Sequence, residues 1–250
     1  HNQSRRQRQM CIRDSIRPIT FSHMNQKKLT IFDLDNTILN GNSDHSWLEY
    51  LILNDFIYRK DYEPQNKIFH RQFIEGNMDF VSYYEFNIQY LCGQTDDYIH
   101  EIRQSFLREV IEPMINVYAL KLVHEQMTED TTLLLATGTT SILAKPIADR
   151  LGFKHLVSTE LEMKEGYFTG KVIHPPALGS GKFDKVLEWM KTHGFKDFSH
   201  STFYTDSILD IDLMRAVETP IAVNPDKDLE QECFKQDWQI LELPVHQTHP

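Results

Sequence analysis

Cysteine is scarce: Cys11, Cys92 and Cys233 are scattered through 250 residues at no metal-ligand spacing, so a reducing cytoplasm is the expected setting. No stretch approaches the roughly eighteen uninterrupted apolar residues that a membrane-spanning helix needs, which excludes a membrane protein of that kind. Positive charge is the minority sign. With 26 Lys and Arg against 36 Asp and Glu, the formal net charge is -10, and such a surface repels nucleic-acid phosphates. Internal repeats and low-complexity tracts are missing, and the twelve histidines form no spaced ligand set. What remains is 40% apolar and 25% charged, the composition of a globular chain that forms one large domain or one domain with an insertion. An acidic protein that handles phosphate must neutralise charge locally, with a metal or a lysine. The oligomeric state is not legible.

The N-terminus departs from this average. Residues 1–26 carry Arg5, Arg6, Arg8, Arg13 and Arg17 against the single acid Asp14. They are expected to form a disordered basic leader. The run Gln9-Met10-Cys11-Ile12-Arg13-Asp14-Ser15 looks like translated adapter sequence, which questions whether the leader is native, and a basic targeting arm is the alternative. Residues 246–250 are expected to be a disordered tail.

Four short β-rich runs, residues 29–32, 132–136, 201–204 and 220–223, are each followed by polar or small residues and mostly by a helical pattern. This predicts parallel strands joined by crossover helices, an α/β doubly wound sheet. The gap from residue 40 to 128 is too long for one crossover. Helical signals lie at residues 44–54, at 95–110 and around Leu120 and Val123, so residues 42–112 are read as an inserted helical cap on a core of residues 27–41 and 113–245. Residues 141–151 predict a helix stopped by Gly152, with Pro146 placed to kink it. Residues 182–191 predict another with Phe183, Val186, Leu187 and Met190 on one face. Residues 156–162 and 167–173 flank Lys164-Glu165-Gly166 and are read as an appended hairpin.

The chemistry concentrates where strands end. Leu29-Thr30-Ile31-Phe32 stops on Asp33-Leu34-Asp35-Asn36-Thr37, bringing two carboxylates and a hydroxyl to the carboxyl edge of the sheet, where open α/β sheets bind ligands. Asp33 there could act as a carboxylate nucleophile and Asp35 as a proton donor and acceptor, or both could belong to an ordinary turn. The second strand ends on Thr137-Gly138, a hydroxyl and a flexible backbone N–H suited to phosphate oxygens or to a simple turn. Lys182 follows Gly179-Ser180-Gly181 and can reach back over the sheet edge or lie in solvent. Asp206 and Asp210 follow the third strand and could hold Mg2+ through oxygen or cap the next helix.

In order, Asp-x-Asp-x-Thr, Thr-Gly, Lys and Asp-x-x-x-Asp resemble the four motifs of the haloacid dehalogenase (HAD) superfamily over residues 28–243. The spacing and cap position resemble subfamily IB, the phosphoserine-phosphatase-like hydrolases. The resemblance implies a Rossmann-like HAD core with helices on both faces of a parallel sheet and a C1-type helical cap. It also implies a cytoplasmic Mg2+-dependent phosphatase acting on a small phosphorylated metabolite through an aspartyl-phosphate. Asp33 would be the nucleophile, Asp35 the general acid and then base. Thr137 and Gly138 would bind phosphate and Lys182 would balance charge. Asp33, the Asp35 carbonyl and Asp206 would bind Mg2+, with Asp210 behind.

Three departures stand out. Asn42 and Asn87 occupy the positions where phosphoserine phosphatases carry an acid and an arginine, which disfavours phosphoserine unless a neighbour such as Arg71 substitutes. Asp44 either meets a cationic or polyhydroxylated leaving group or caps a helix starting at Ser46. Leu209 replaces a common Asn and is expected to weaken the Lys182–Asp210 network, with Thr139 and Thr140 as substitute contacts. Tyr83, Tyr84, Phe86, Tyr90, Tyr98 and Phe106 either line a pocket or fill the core. A phosphotransferase or mutase using the same intermediate is the alternative enzyme, and a catalytically degenerate HAD-fold binding module is the alternative outside enzymology.

Overall fold

The computed structural model describes residues 27–245; the expected leader and tail lie outside the described residues. The chain runs β1 (Lys28–Phe32), α1 (Ser43–Leu53), α2 (Arg59–Ile74), α3 (Phe80–Asn87) and α4 (Asp96–Phe106), which continues as a π-helical turn into the short α5 (Glu112–Met114). Then come α6 (Val117–Gln126), β2 (Thr131–Thr140), α7 (Ser141–Leu151), β3 (His155–Thr159), β4 (Leu161–Lys164) and β5 (Tyr167–Val172). The last part comprises α8 (Ser180–Thr192), β6 (Ser201–Thr205), α9 (Ile211–Ala216), β7 (Thr219–Val223), α10 (Lys227–Gln236) and β8 (Gln239–Leu241). No helix among the described residues is long and apolar enough to cross a membrane.

Six strands form one parallel sheet in the order β3-β2-β1-β6-β7-β8. Successive side chains of a strand point to opposite faces, and the sequence fills both. Leu29, Ile31, Leu134, Ala136 and Phe203 pack against α8, α9 and α10 through Val186, Met190, Leu213, Met214 and Leu229. Phe32, Leu133, Leu135 and Tyr204 face the other way, against Val123 of α6 and Leu143, Ile147 and Leu151 of α7. β1 lies at the centre, so its carboxyl end is flanked by the ends of β2 and β6.

The helices α1 to α5 fill the gap between β1 and α6. Their chain ends meet: Leu39 and Ile115 form an antiparallel bridge, Asn40 N–H donates to the Met114 carbonyl (2.7 Å) and Asn116 N–H to the Ile38 carbonyl (2.9 Å). At the far side the β4–β5 hairpin holds the insert through Gly93 N–H on the Phe168 carbonyl (2.8 Å) and Phe168 N–H on the Gln94 carbonyl (2.9 Å).

Two expectations are corrected here. The hairpin is shorter than expected: residues 156–159 belong to the main sheet as part of β3, because Val157, Ser158 and Thr159 are buried beside β2. The first inserted helix starts at Ser43, not Ser46, because the Asn42 side chain caps it by accepting from His45 N–H (2.8 Å). α7 runs unbroken through Pro146 to Gly152, which takes a left-handed conformation at φ 83°.

Candidate active site

β1 is paired up to Asp33, whose N–H donates to the Tyr204 carbonyl of β6 at 2.9 Å. Beyond it the Leu34 carbonyl accepts from the N–H groups of Thr37, Ile38 and Leu39, a tight turn with Asn36 at φ 56°. The turn leaves Asp33 buried on the sheet edge, while Asp35 opens to the mouth of a cleft. That cleft, about 440 Å3, is lined by Asp33, Asp35, Asp44, Thr137, Gly138, Lys182, Asp206 and Asp210 together. All eight residues singled out in the sequence meet there.

Lys182 lies in the first turn of α8, and its ammonium donates to Asp33 Oδ1 (2.9 Å) and Asp210 Oδ2 (2.7 Å). All three side chains are buried. Burial works against the Lys182 charge, but the carboxylates of Asp210 and Asp33 outweigh it and hold the group protonated. Thr205 also donates to Asp210 Oδ2 (2.7 Å). Thr205 thus serves the Lys182–Asp210 pair from β6, and Thr139 and Thr140 serve other carboxylates. Asp210 Oδ1 is buried without a hydrogen-bond partner.

The remaining acids are crowded. Burial, with Asp210 and Asp35 adding to it against Lys182, raises the Asp33 carboxyl to about 7. Asp206, at the end of β6, accepts from the Thr37 hydroxyl (3.2 Å) and is raised to about 8 by burial and by the charges of Asp33 and Asp210. Like charges that cannot separate demand protons or a cation.

Asp35 is held at both oxygens. Ser43 N–H donates to Oδ1 (2.8 Å) and the Thr139 hydroxyl to Oδ2 (3.0 Å), while Ser43 Oγ sits 3.0 Å from Thr139 Oγ1. Burial and the neighbouring Asp44 nevertheless raise Asp35 to about 6, against the bonds from Ser43 and Thr139. Thr137 donates its hydroxyl to Thr139 Oγ1 (2.9 Å) and accepts from Thr139 N–H (3.1 Å).

Asp44 is not the helix cap. It lies within α1, and its oxygens accept from Thr140 N–H (3.1 Å) and the Thr140 hydroxyl (2.7 Å). Burial raises it to about 6 in spite of these bonds. Around it the outer cleft carries Phe69, Phe80, Tyr83 and Tyr84, whereas Phe106 is core against Trp47 and Tyr98 is exposed. Asn42 lines the cleft, but Asn87 lies in a small neighbouring cavity and Arg71 is exposed outside the cleft. Among the described residues lining the cleft, Lys182 is the one lysine or arginine. Ser43 carries a site contact that the sequence hid, since a serine starting a helix gives no local signal, and Tyr84 was set apart only as one of several aromatics that line a pocket or fill the core.

The haloacid dehalogenase-like hydrolase family model matches residues 30–215. A histidinol-phosphatase of Neisseria meningitidis serogroup C is 34% identical over 219 residues, covering 86% of this chain and 98% of that protein. The crystal structure of a protein of unknown function from Bordetella pertussis Tohama I superposes with a TM-score of 0.79 at 28% identity, covering 86% and 98% of the two chains. A phosphoserine phosphatase solved as a phospho-aspartyl intermediate analogue shares the fold, with a TM-score of 0.60 at 17% identity over 87% of this chain and 93% of that one. The chain belongs to the haloacid dehalogenase-like hydrolases and is a phosphoric monoester hydrolase.

Proposed function

We propose that the protein is a cytoplasmic, Mg2+-dependent phosphatase that hydrolyses a small phosphorylated metabolite through an aspartyl-phosphate on Asp33, with residues 42–112 as the cap. The observation that carries this is the buried Lys182 ammonium shared by Asp33 and Asp210 at the edge of a cleft that also holds Asp35 and Asp206. A buried lysine between two acids is costly to assemble, and it supplies the positive charge a phosphoryl group needs.

An Asp33 oxygen attacks phosphorus, the bond from phosphorus to the ester oxygen breaks, and Asp35 delivers its proton to the departing alkoxide. With its carboxyl at about 6, Asp35 is protonated in an appreciable fraction of molecules near neutrality. Water then attacks the aspartyl-phosphate while Asp35 takes its proton, releasing phosphate and restoring the Asp33 carboxylate. Gly138 N–H and the Thr137 hydroxyl bind phosphoryl oxygens, the hydroxyl turning its hydrogen away from Thr139 to do so. Lys182 balances charge throughout.

The residues fit Mg2+. Among the described residues no group of three or more His, Cys, Asp or Glu side chains is arranged to hold a metal ion. Mg2+, however, is commonly held by one or two carboxylates with waters and substrate phosphate. Asp33, Asp206 and the Asp35 carbonyl would hold it, and the unpartnered Oδ1 of Asp210 would meet one of its waters. When bound, the ion neutralises the carboxylate cluster and the phosphoryl oxygens.

A cleft with one lysine, already engaged, has no bidentate partner for a substrate carboxylate, which speaks against phosphoserine. Asp44 among aromatic rings suits a cationic leaving alcohol, by charge and by cation–π contact. Histidinol phosphate, an amino alcohol phosphate without a carboxylate and the substrate named for the Neisseria relative, fits that description. The test is a screen of phosphorylated metabolites with and without EDTA, with D33N alongside. Metal-dependent release of phosphate from an amino alcohol phosphate, lost in D33N, is expected; undiminished turnover by D33N would sink the proposal.

A further inference from the structure

The carbonyl of Gly138 is held from two sides. Thr159 of β3 donates its hydroxyl to it at 2.7 Å, and Tyr84 of α3 donates its hydroxyl at 2.8 Å. The same peptide unit is fixed at its other end, where Thr139 N–H donates to Thr137 Oγ1 (3.1 Å). Contact is close enough that a Cβ built on Gly138 would stand 3.0 Å from the Tyr84 hydroxyl and 3.1 Å from Leu178 Cδ1. Tyr84 itself is buried, at 6% exposure.

Of these partners, Thr137, Thr139 and Thr159 belong to strands of the sheet, and Tyr84 comes from the inserted helices. β2 is irregular here, its pairing with β3 shifting between Ala136 and Thr140, so strand pairing alone does not dictate the backbone at Gly138. Side-chain bonds decide it.

We infer that Tyr84 is a positioning residue: its hydroxyl, placed by the seating of α3 over the sheet edge, sets the backbone of residues 137–139 at the end of β2 in the shape that binds a phosphoryl group. This rests on the proposed phosphatase function, because it takes the Gly138 N–H as a phosphate donor. That backbone arrangement is then complete only when α3 is docked, and phosphate affinity reports on that docking. Tyr84 acts on the phosphoryl end of every substrate, although its ring also lines the cleft.

The test compares wild type with Y84F, which keeps the ring and removes the donor. A second lone pair of the Gly138 carbonyl remains served by Thr159, so the fold is expected to survive, and thermal melts check this. Inorganic phosphate affinity is measured directly by calorimetry, and kcat/KM is measured for p-nitrophenyl phosphate and for an amino alcohol phosphate. Y84F is expected to weaken phosphate binding and to lower kcat/KM for both substrates by the same factor, about three- to tenfold for one net hydrogen bond. T159V should act in the same direction, and the double variant should lose more than the product of the two factors. A loss confined to one substrate, with phosphate affinity intact, would overturn the inference and make Tyr84 a leaving-group contact. Unchanged phosphate affinity with a lowered melting temperature would also overturn it, leaving a purely structural role. Failure of the phosphatase proposal shows separately, as a wild-type protein that D33N does not distinguish.

Discussion

Thr140 grips Asp44 twice, through its backbone N–H at 3.1 Å and its hydroxyl at 2.7 Å, and so ties the first turn of α1 to the end of β2 three residues past Thr137. The carboxylate is thereby fixed in the cleft while burial raises it to about 6.

Two outcomes follow for Asp44. Below about pH 6 it is neutral and attracts no cation, so the ratio of kcat/KM for an amino alcohol phosphate to that for p-nitrophenyl phosphate should rise as pH rises through 6; in D44N the ratio should be low and flat. For stability the sign is opposite. The folded state binds this proton more readily than the unfolded chain, whose carboxyl titrates near 3.8, so the contribution is present at low pH and is lost as pH rises from about 4 to about 6. Urea titrations of wild type and D44N should show a steeper decline for wild type over that interval, and parallel curves would refute the assignment.

Lys182→Met should be severely destabilising. It leaves Asp33 and Asp210 buried without their cation, at a cost of about 3–5 kcal/mol near neutral pH. The penalty should shrink toward pH 5 as the Asp33 carboxyl, already raised to about 7, takes up a proton. Denaturant midpoints at the two pH values measure this, and K182R should not restore activity, because a planar fork does not replace a compact ammonium between two acids.

Removal of divalent metal should abolish turnover, and Mg2+ should restore it. On the proposed function Mg2+ should also raise the wild-type melting temperature, because a ligand that binds the folded carboxylate cluster and not the unfolded chain stabilises the fold. D206N should lower that increment. An increment the same size in D206N would remove Asp206 from the ligand set.

Asn42→Ala should cost about 1 kcal/mol through loss of the cap on α1. Since the same turn presents Ser43 N–H to Asp35, activity should fall with it. Chemical denaturation gives the first quantity and kcat the second; N42D, which preserves capping, should recover both.

Four of the six sheet strands, β1, β2, β6 and β7, were legible as short apolar runs followed by polar or small residues, a pattern set by local sterics and burial, whereas the three-residue β8 is too short to stand out. The inserted helices were harder. α2 carries Pro64 and buries Tyr62 and Phe69 while Ile68 and Phe73 face solvent, so no apolar stripe marks it. α3 is built from Phe, Val and Tyr, residues with β preference, and is helical because it packs against the hairpin. The strand register of residues 156–159 depended on tertiary partners. So did the role of Thr205 at Asp210, which a linear motif cannot display.

The paired backbone bonds that join residues 93 and 94 to Phe168 fasten the helices α1 to α5 at a second place, in addition to the chain crossings at residues 38–40 and 114–116. Lifting these helices from the sheet as a unit breaks both sets of bonds, so their displacement carries a higher cost than a swing about the chain crossings alone.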